Sequence, residues 1–474
     1  MLIPLAACDL GPDYQRPAIA IPAAFRATAQ SAQAAWPATD WWQGFRSSEL
    51  NRLIEDARTN NQDLAAAAAR IVQADAQARI AGAPLLPSVS GTGSAGYTRS
   101  GSSRSSSLSS LSSSGIGSSA GKSHYNDSRS YSAEASVSYE VDFWGKNRAT
   151  YQAAQATALY SRFDQDVVAL DTVASVATTY FTALGAADRL AIAKHNLQDA
   201  QTTLKVFQAR VAAGTGTALD VAQQEALVAG QAADIPGLQS TYEQNVIALA
   251  TLVGRPPESI RITGMTLTNL AAPLVGGGLP SELLARRPDV AAAEANLVAS
   301  NANIRAARAA FFPSIQLTAQ GGLESAALSA LTGPGSLLLA ATSSITQTIF
   351  DNGLKQGDLD LEKGKFAELV ATYRQTTLQA FQDAETYLVA VKYTAQQEDL
   401  ERTAVSVAQR AADIARAQLA AGTVDITTVL TTQTTLFTDQ DALAQARLSH
   451  FLALINLYKA LGGGWTLPKT VGTI

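Results

Sequence analysis

The chain has three histidines, His124, His195 and His450, and a single cysteine, Cys8. Zinc and iron sites gather such residues at close helical or finger spacing. None of the four has another histidine or cysteine at that spacing, so the histidines read as solvated or structural and no metal is expected. Gly121-Lys122-Ser123 resembles the end of a phosphate-binding loop, but the required first glycine falls at position 116, which is Ile116, and no apolar strand precedes it. No serine, cysteine or carboxylate pair stands in a recognisable catalytic motif. The sequence therefore predicts neither an enzyme nor a cofactor. The remaining chemistry-bearing residues sit at two glycine turns, where Gly214 is followed by Thr217, Asp220 and Val221, and Gly422 by Asp425 and Val429.

These turns belong to a duplication. Asn61-Gln62-Asp63-Leu64 opens an Ala-rich stretch ending at Pro87, and Arg287-Pro288-Asp289-Val290 opens another ending at Pro313. Gly145 to Gly353 and Gly214 to Gly422 are both 208 residues apart, whereas Asp63 to Asp289 is 226. The difference of 18 lies between Pro87 and Gly145, where the first copy carries the Ser-rich stretch Ser100 to Ser123. That stretch is too polar to fold alone and reads as a solvent-exposed loop. Gly276-Gly277-Gly278 marks the junction of the copies.

Two kinds of element must position the turns. Proline is absent from Ser88 to Ile235 and from Gly335 to Leu467, which permits very long helices. Leu159, Phe163, Val167, Leu170, Ala174, Ala177, Phe181 and Leu184 step by three and four. Leu190, Leu197, Leu204 and Val211 then step by seven, which is a coiled-coil seam. A helix from Lys146 to Ala213 would run roughly 100 Å, and a break near Gly185 is the alternative. A second long helix starts at about Leu354, and an earlier one runs from Ser48 through Ala65 to Ala81. The turns Gly214 to Val221 and Gly422 to Val429 then form the tips of helical hairpins. At the other end of each copy lie strands. Tyr131 to Phe143 alternates apolar and polar residues without a fault, longer than the about nine to eleven residues of a tilted transmembrane strand. Ile315, Leu317 and Ala319 alternate likewise, and weaker partners lie at about Val89 to Thr98 and Leu338 to Ile349.

Of the 474 residues, 16% are charged and the net charge is -5, which excludes a nucleic-acid surface. No run of eighteen apolar residues exists, a test that says nothing about β-strand spanning. Cys8 follows Leu5-Ala6-Ala7, an ending similar to a bacterial lipoprotein signal, in which the cysteine becomes lipidated. Only seven residues precede it and none is basic, so the natural start is expected upstream of Met1. Residues 9 to 45, with Gly11-Pro12-Asp13-Tyr14 and Trp41-Trp42, are expected to lie irregularly along the surface of another part.

Four amphipathic strands cannot close a membrane barrel alone, and open edges are forbidden in lipid. Several chains must share one. A set of short motifs runs the length of the chain: Cys8 with Gly11 to Pro17, Trp41-Trp42 with Phe45 and Leu50, and Arg286-Arg287-Pro288-Asp289-Val290. To these add Ala310-Phe311-Phe312-Pro313-Ser314, Asp142-Phe143-Trp144-Gly145 and Ile349-Phe350-Asp351-Asn352-Gly353. In these motifs the chain resembles the outer-membrane efflux proteins of the TolC family, in the OprM/NodT-like lipoprotein branch.

The resemblance implies a mainly α chain with a membrane β part: a long-helix α-barrel continuous with a twelve-stranded β-barrel formed by a trimer, four strands from each chain. The organisation expected is a signal-peptide remnant (1–7), a lipidated N-terminal segment with the first helix (8–60) and two repeats. The first repeat (61–270) has strands at about 88–98 and 131–143, and the second (271–474) has strands at about 314–323 and 338–350. The implied function is a passive channel of a tripartite efflux system in the bacterial outer membrane, reaching into the periplasm and exporting small molecules or drugs. Its implied partners are a homotrimer, outer-membrane lipid, a periplasmic adaptor and an inner-membrane transporter, with no nucleic acid. Family members meet the adaptor at the hairpin tips, which makes Gly214, Thr217, Asp220, Val221, Gly422, Asp425 and Val429 candidate contacts. Asp220 and Asp425 become candidate gate residues, although the position matching Asp220 in the second copy is Thr428. A protein-secretion channel and a soluble coiled-coil scaffold are the competing readings.

Overall fold

The computed structural model describes residues 11, 13–25, 36–101, 125–263, 266–273, 275 and 280–468. Cys8, the proposed signal remnant, Arg104, Lys122, His124, most of the Ser-rich loop and Gly276 to Gly278 lie outside them.

The helices are α1 (Ser48–Asn60), α2 (Gln62–Gly82), α3 (Lys146–Ala212), α4 (Ala218–Leu252), α5 (Pro280–Leu283), α6 (Pro288–Ala309), α7 (Leu354–Ala420) and α8 (Ile426–Ala460). The strands are β1 (Ser88–Gly101), β2 (Tyr125–Glu140), β3 (Ser314–Ser325) and β4 (Leu337–Thr346). In the long helices the duplication holds to the residue. Helices α3 and α7 each have 67 residues, and α4 and α8 each have 35. No break occurs at Gly185, where Leu448 packs so closely that a Cβ would meet its side chain at 2.8 Å. The first helix does break, at Asn61, whose Oδ1 accepts from the amides of Asp63 and Leu64 (2.8 and 3.1 Å) and caps α2.

The chain forms two compact units, each built from both repeats: one gathers Ala76–Gln155 and Ala299–Lys365, the other Gln15–Asp75, Ala156–Val298 and Phe366–Ile474. The first holds one antiparallel sheet in the order β1-β2-β3-β4. Its exposure is inverted relative to a soluble protein. On β2, Ala133, Ala135 and Val137 are exposed, while Ser132, Glu134, Ser136 and Ser138 are half-buried. The cross-strand register places Val89, Val137, Ala319 and Ala341 in one row of that apolar face, and Ile345 opposite Ile315. Val89 and Ile345 are 73% and 71% exposed, which suits lipid and not water.

Strand β2 ends at Glu140 and not at Phe143, because Asp142 leaves the sheet to cap α3. Its carboxylate accepts from the amides of Asn147 (2.9 Å) and Arg148 (2.8 Å). Likewise β4 stops at Thr346 instead of reaching residue 350, and Asp351 accepts from Gly353 and Lys355 (3.0 and 3.2 Å) to open α7. Trp144 stacks on Phe312 (4.7 Å) and donates to the Pro313 carbonyl (2.9 Å), fixing the strand-to-helix corner.

The helical unit is held by an aromatic core. Trp41, Trp42 and Phe45, expected along a surface, are 4%, 7% and 0% exposed and pack with Phe181, Phe451 and Tyr458. From Leu190 onward in α3 the buried residues are Ala193, Asn196, Ala200 and Phe207, whereas Leu190, Leu197, Leu204 and Val211 are half-buried. The leucine seam therefore lies beside the buried stripe and not in it. Averaged over eighteen residues, a stretch of α3 is apolar enough to cross a membrane, which a search for uninterrupted runs misses; half of it is buried within the fold.

His450 is not isolated. Its Nδ1 lies 2.9 Å from Glu398 Oε2, and Glu398 Oε1 accepts from Arg402 (2.8 Å) and Arg447 (3.1 Å). Arg447 also donates to Thr268 (2.7 Å), tying the loop after α4 to α8. The His450 hydrogen bond, with Arg447 beside it, overrides burial and holds the Glu398 carboxyl down at about 2. A depressed carboxylate stabilises the fold above its ordinary pKa of 4.5 and loses that contribution as pH falls toward 2. Glu398→Gln is therefore expected to lower the melting temperature at pH 7, with the difference from wild type shrinking between pH 4.5 and 2. Thermal melts across pH measure this.

Candidate functional site: the helical tips

Each long helix ends in the same turn. After α3, Gly214 adopts φ +75°, its N–H donates to Val211 (2.9 Å) and that of Thr215 to Arg210 (2.9 Å). After α7, Gly422 adopts φ +72°, donates to Leu419 (3.1 Å), and Thr423 donates to Gln418 (3.0 Å). This is the Schellman stop, for which glycine supplies the left-handed residue.

The starts of α4 and α8 differ in a way that accounts for the unequal copies. Thr217 caps α4, its Oγ1 accepting from Asp220 N–H (3.3 Å) while Asp220 accepts from Thr217 N–H (2.8 Å), a reciprocal capping box. In α8 the carboxylate moves to the cap. Asp425 accepts from the backbone of Thr428 (3.0 Å) and the hydroxyls of Thr427 and Thr428 (2.8 and 2.9 Å). The Thr427 bond first, then those of Thr428, hold the Asp425 carboxyl below its usual range. Asp220 and Thr428 thus occupy one position, Thr217 and Asp425 another, with carboxylate and hydroxyl exchanged. Thr217→Ala is expected to destabilise its helix start by about 1 kcal/mol, and Asp425→Ala to loosen its own, both seen as faster amide exchange over the following turn.

Behind the turns, Phe207, Ala415, Leu419, Ile426 and Val429 form a small apolar cluster, with Val221 half-buried against it. Arg210 donates to the Leu419 carbonyl (3.1 Å) and links the two hairpins. The candidate residues therefore divide. Gly214, Thr217, Gly422 and Asp425 are exposed, Asp220 and Val221 are half-buried, and Val429 is 1% exposed, a core residue. Sequence reasoning missed Leu219, a leucine 64% exposed at the first tip; the matching residue in the second is Thr427. Its signal was an apolar residue within the first turn of a capped helix. Among the described residues, no group of three or more His, Cys, Asp or Glu could hold a metal ion.

The family model described as outer membrane efflux protein matches residues 53–255 and 279–463. The chain belongs to that family. It is 38% identical to the pyoverdine export outer membrane protein OpmQ of Pseudomonas aeruginosa, over 97% of this chain and 95% of that one. It is 34% identical to the toluene efflux pump outer membrane protein TtgC of Pseudomonas putida, over 97% and 93%. Among solved structures it is similar to the open-state MtrE outer membrane channel of Neisseria gonorrhoeae, with 28% identity, a TM-score of 0.85, and 96% and 98% of the two chains covered. The protein is an outer-membrane channel of an efflux system. The inverted sheet and the long helices are this family's architecture in a single chain.

Proposed function

We propose that three copies of the chain form one passive conduit, which receives small organic molecules from an inner-membrane pump through a periplasmic adaptor and releases them outside the cell. The observation that carries this is the sheet. Its apolar face is exposed, and among the described residues β1 and β4 each have a strand on one side only. Unpaired strand edges are too costly in lipid, and single-chain barrels begin at eight strands. Three copies supply twelve strands, β4 of each pairing with β1 of the next. Conduction needs no chemistry from the wall, so the pump supplies both the drive and the choice of cargo. The different cargoes named for OpmQ and TtgC fit a conduit that does not itself select.

The adaptor docks on the tips. Gly214, Thr217 and Leu219 at one tip and Gly422 and Asp425 at the other offer exposed contacts, with Asp220 and Val221 beside them and Val429 supporting from behind. Threefold repetition turns Asp220 and Asp425 into carboxylate rings, and these narrow the closed tip. Cys8 carries the lipid that anchors the chain in the outer membrane. Thr217→Cys and Asp425→Cys are expected to cross-link to the adaptor's hairpin in cells, with Ser88→Cys as a silent control. Cross-links only from the control, or a channel that works fully without any adaptor, would remove this reading.

A further inference from the structure

The core of the helical tips is interrupted by two buried glutamines. In α8, Ile426, Val429, Gln433 and Leu436 follow at steps of three, four and three, so Gln433 occupies a core position of the coiled coil. In α4, Val221, Gln224 and Val228 do the same. Both glutamines are 0% exposed. Gln224 donates to the Ala200 carbonyl (2.8 Å) but its Oε1 has no partner, and neither Oε1 nor Nε2 of Gln433 has one. They lie between two apolar clusters: the tip cluster around Phe207 and Val429, and a higher one around Ala200, Leu436 and Phe437.

An amide buried without a partner is unfavourable, and native structures satisfy such groups with ordered water. A polar residue at a core position also weakens the helix packing around it while fixing its register. Below the glutamines, the tip cluster is small and includes alanine, so little apolar burial holds the tips once the layer is polar. Segments of this kind open as local units.

We infer that Gln224 and Gln433 form a hydrated polar layer that uncouples the tips from the helices above, so that both tips open together as one small unit. The layer is a hinge encoded by residue type, not by glycine or proline. Its test does not depend on the adaptor.

Amide exchange of the full-length protein in detergent should find Phe207–Val221 and Ala415–Val429 exchanging as a group, about tenfold or more faster than Leu436–Asp441. Gln433→Leu continues the apolar core and should slow tip exchange about tenfold or more while raising the melting temperature. Gln433→Met, nearer in shape, should act in the same direction. Tip exchange that is unchanged or faster in either variant would overturn the inference. So would uniform exchange along the wild-type helices, or failure of both variants to assemble, since an apolar residue is expected to be tolerated there.

Discussion

Phe45→Ala is expected to destabilise the helical unit by about 3–5 kcal/mol, among the largest effects of any single substitution in this chain. Phe45 is 0% exposed. Its ring lies 5.0 Å from Phe181, 5.8 Å from Phe451, and 6.2 Å from both Trp41 and Tyr458. Truncation would leave a cavity between α3, α8 and the N-terminal segment, with all four aromatic neighbours losing contact. No loop can collapse to fill it, because Trp41 and Tyr458 are themselves stacked at 4.7 Å. Phe45→Leu keeps part of the volume and should recover about half of the loss. Thermal or denaturant unfolding followed by helical signal measures both. A change below about 1 kcal/mol for the alanine variant would mean that the N-terminal segment is not part of this core.

Gly322→Val is expected to abolish the sheet, and with it the channel. Gly322 pairs with Glu134 across β2 and β3. A Cβ there would lie 2.4 Å from the Ala133 carbonyl oxygen and 2.7 Å from Glu134 Cα. Both are backbone atoms within the ladder, so no side-chain rotation relieves the clash. The cost is about 3 kcal/mol or more, and relieving it means separating the two central strands. Because β2 comes from the first repeat and β3 from the second, their pairing is the join between the copies. The variant should be made in normal amounts yet be missing from the outer membrane, with efflux falling to the level of a deletion strain. Normal insertion and export would show that the β2–β3 register is wrong.

Local order was legible in the sequence. The period of two in β2, the heptads of α3 and the proline-free span of α7 depend on neighbours within a few residues; α3 and α7 start where expected, while β2 begins six residues earlier and ends three earlier. What the sequence hid was pairing over distance. Phe45 meets Phe181 and Phe451, and His450 meets Glu398 from another helix; no local spacing announces either. The break at Asn61 was readable in principle, since Asn followed by Asp63 and Leu64 is an ordinary helix start, but the continuous alanine pattern concealed it. At the tips the glycine turns were plain. The exchange of carboxylate and hydroxyl between Thr217–Asp220 and Asp425–Thr428 became clear only when both pairs proved to cap helices. Capping leaves Asp425 exposed and Asp220 half-buried.

The four-stranded sheet is one third of a barrel. Native mass spectrometry of the protein extracted from outer membranes in mild detergent tests this directly. It should find an assembly of three chains that persists when the adaptor is deleted. Recovery of a soluble single chain, or of an outer-membrane species of any other copy number, would contradict it.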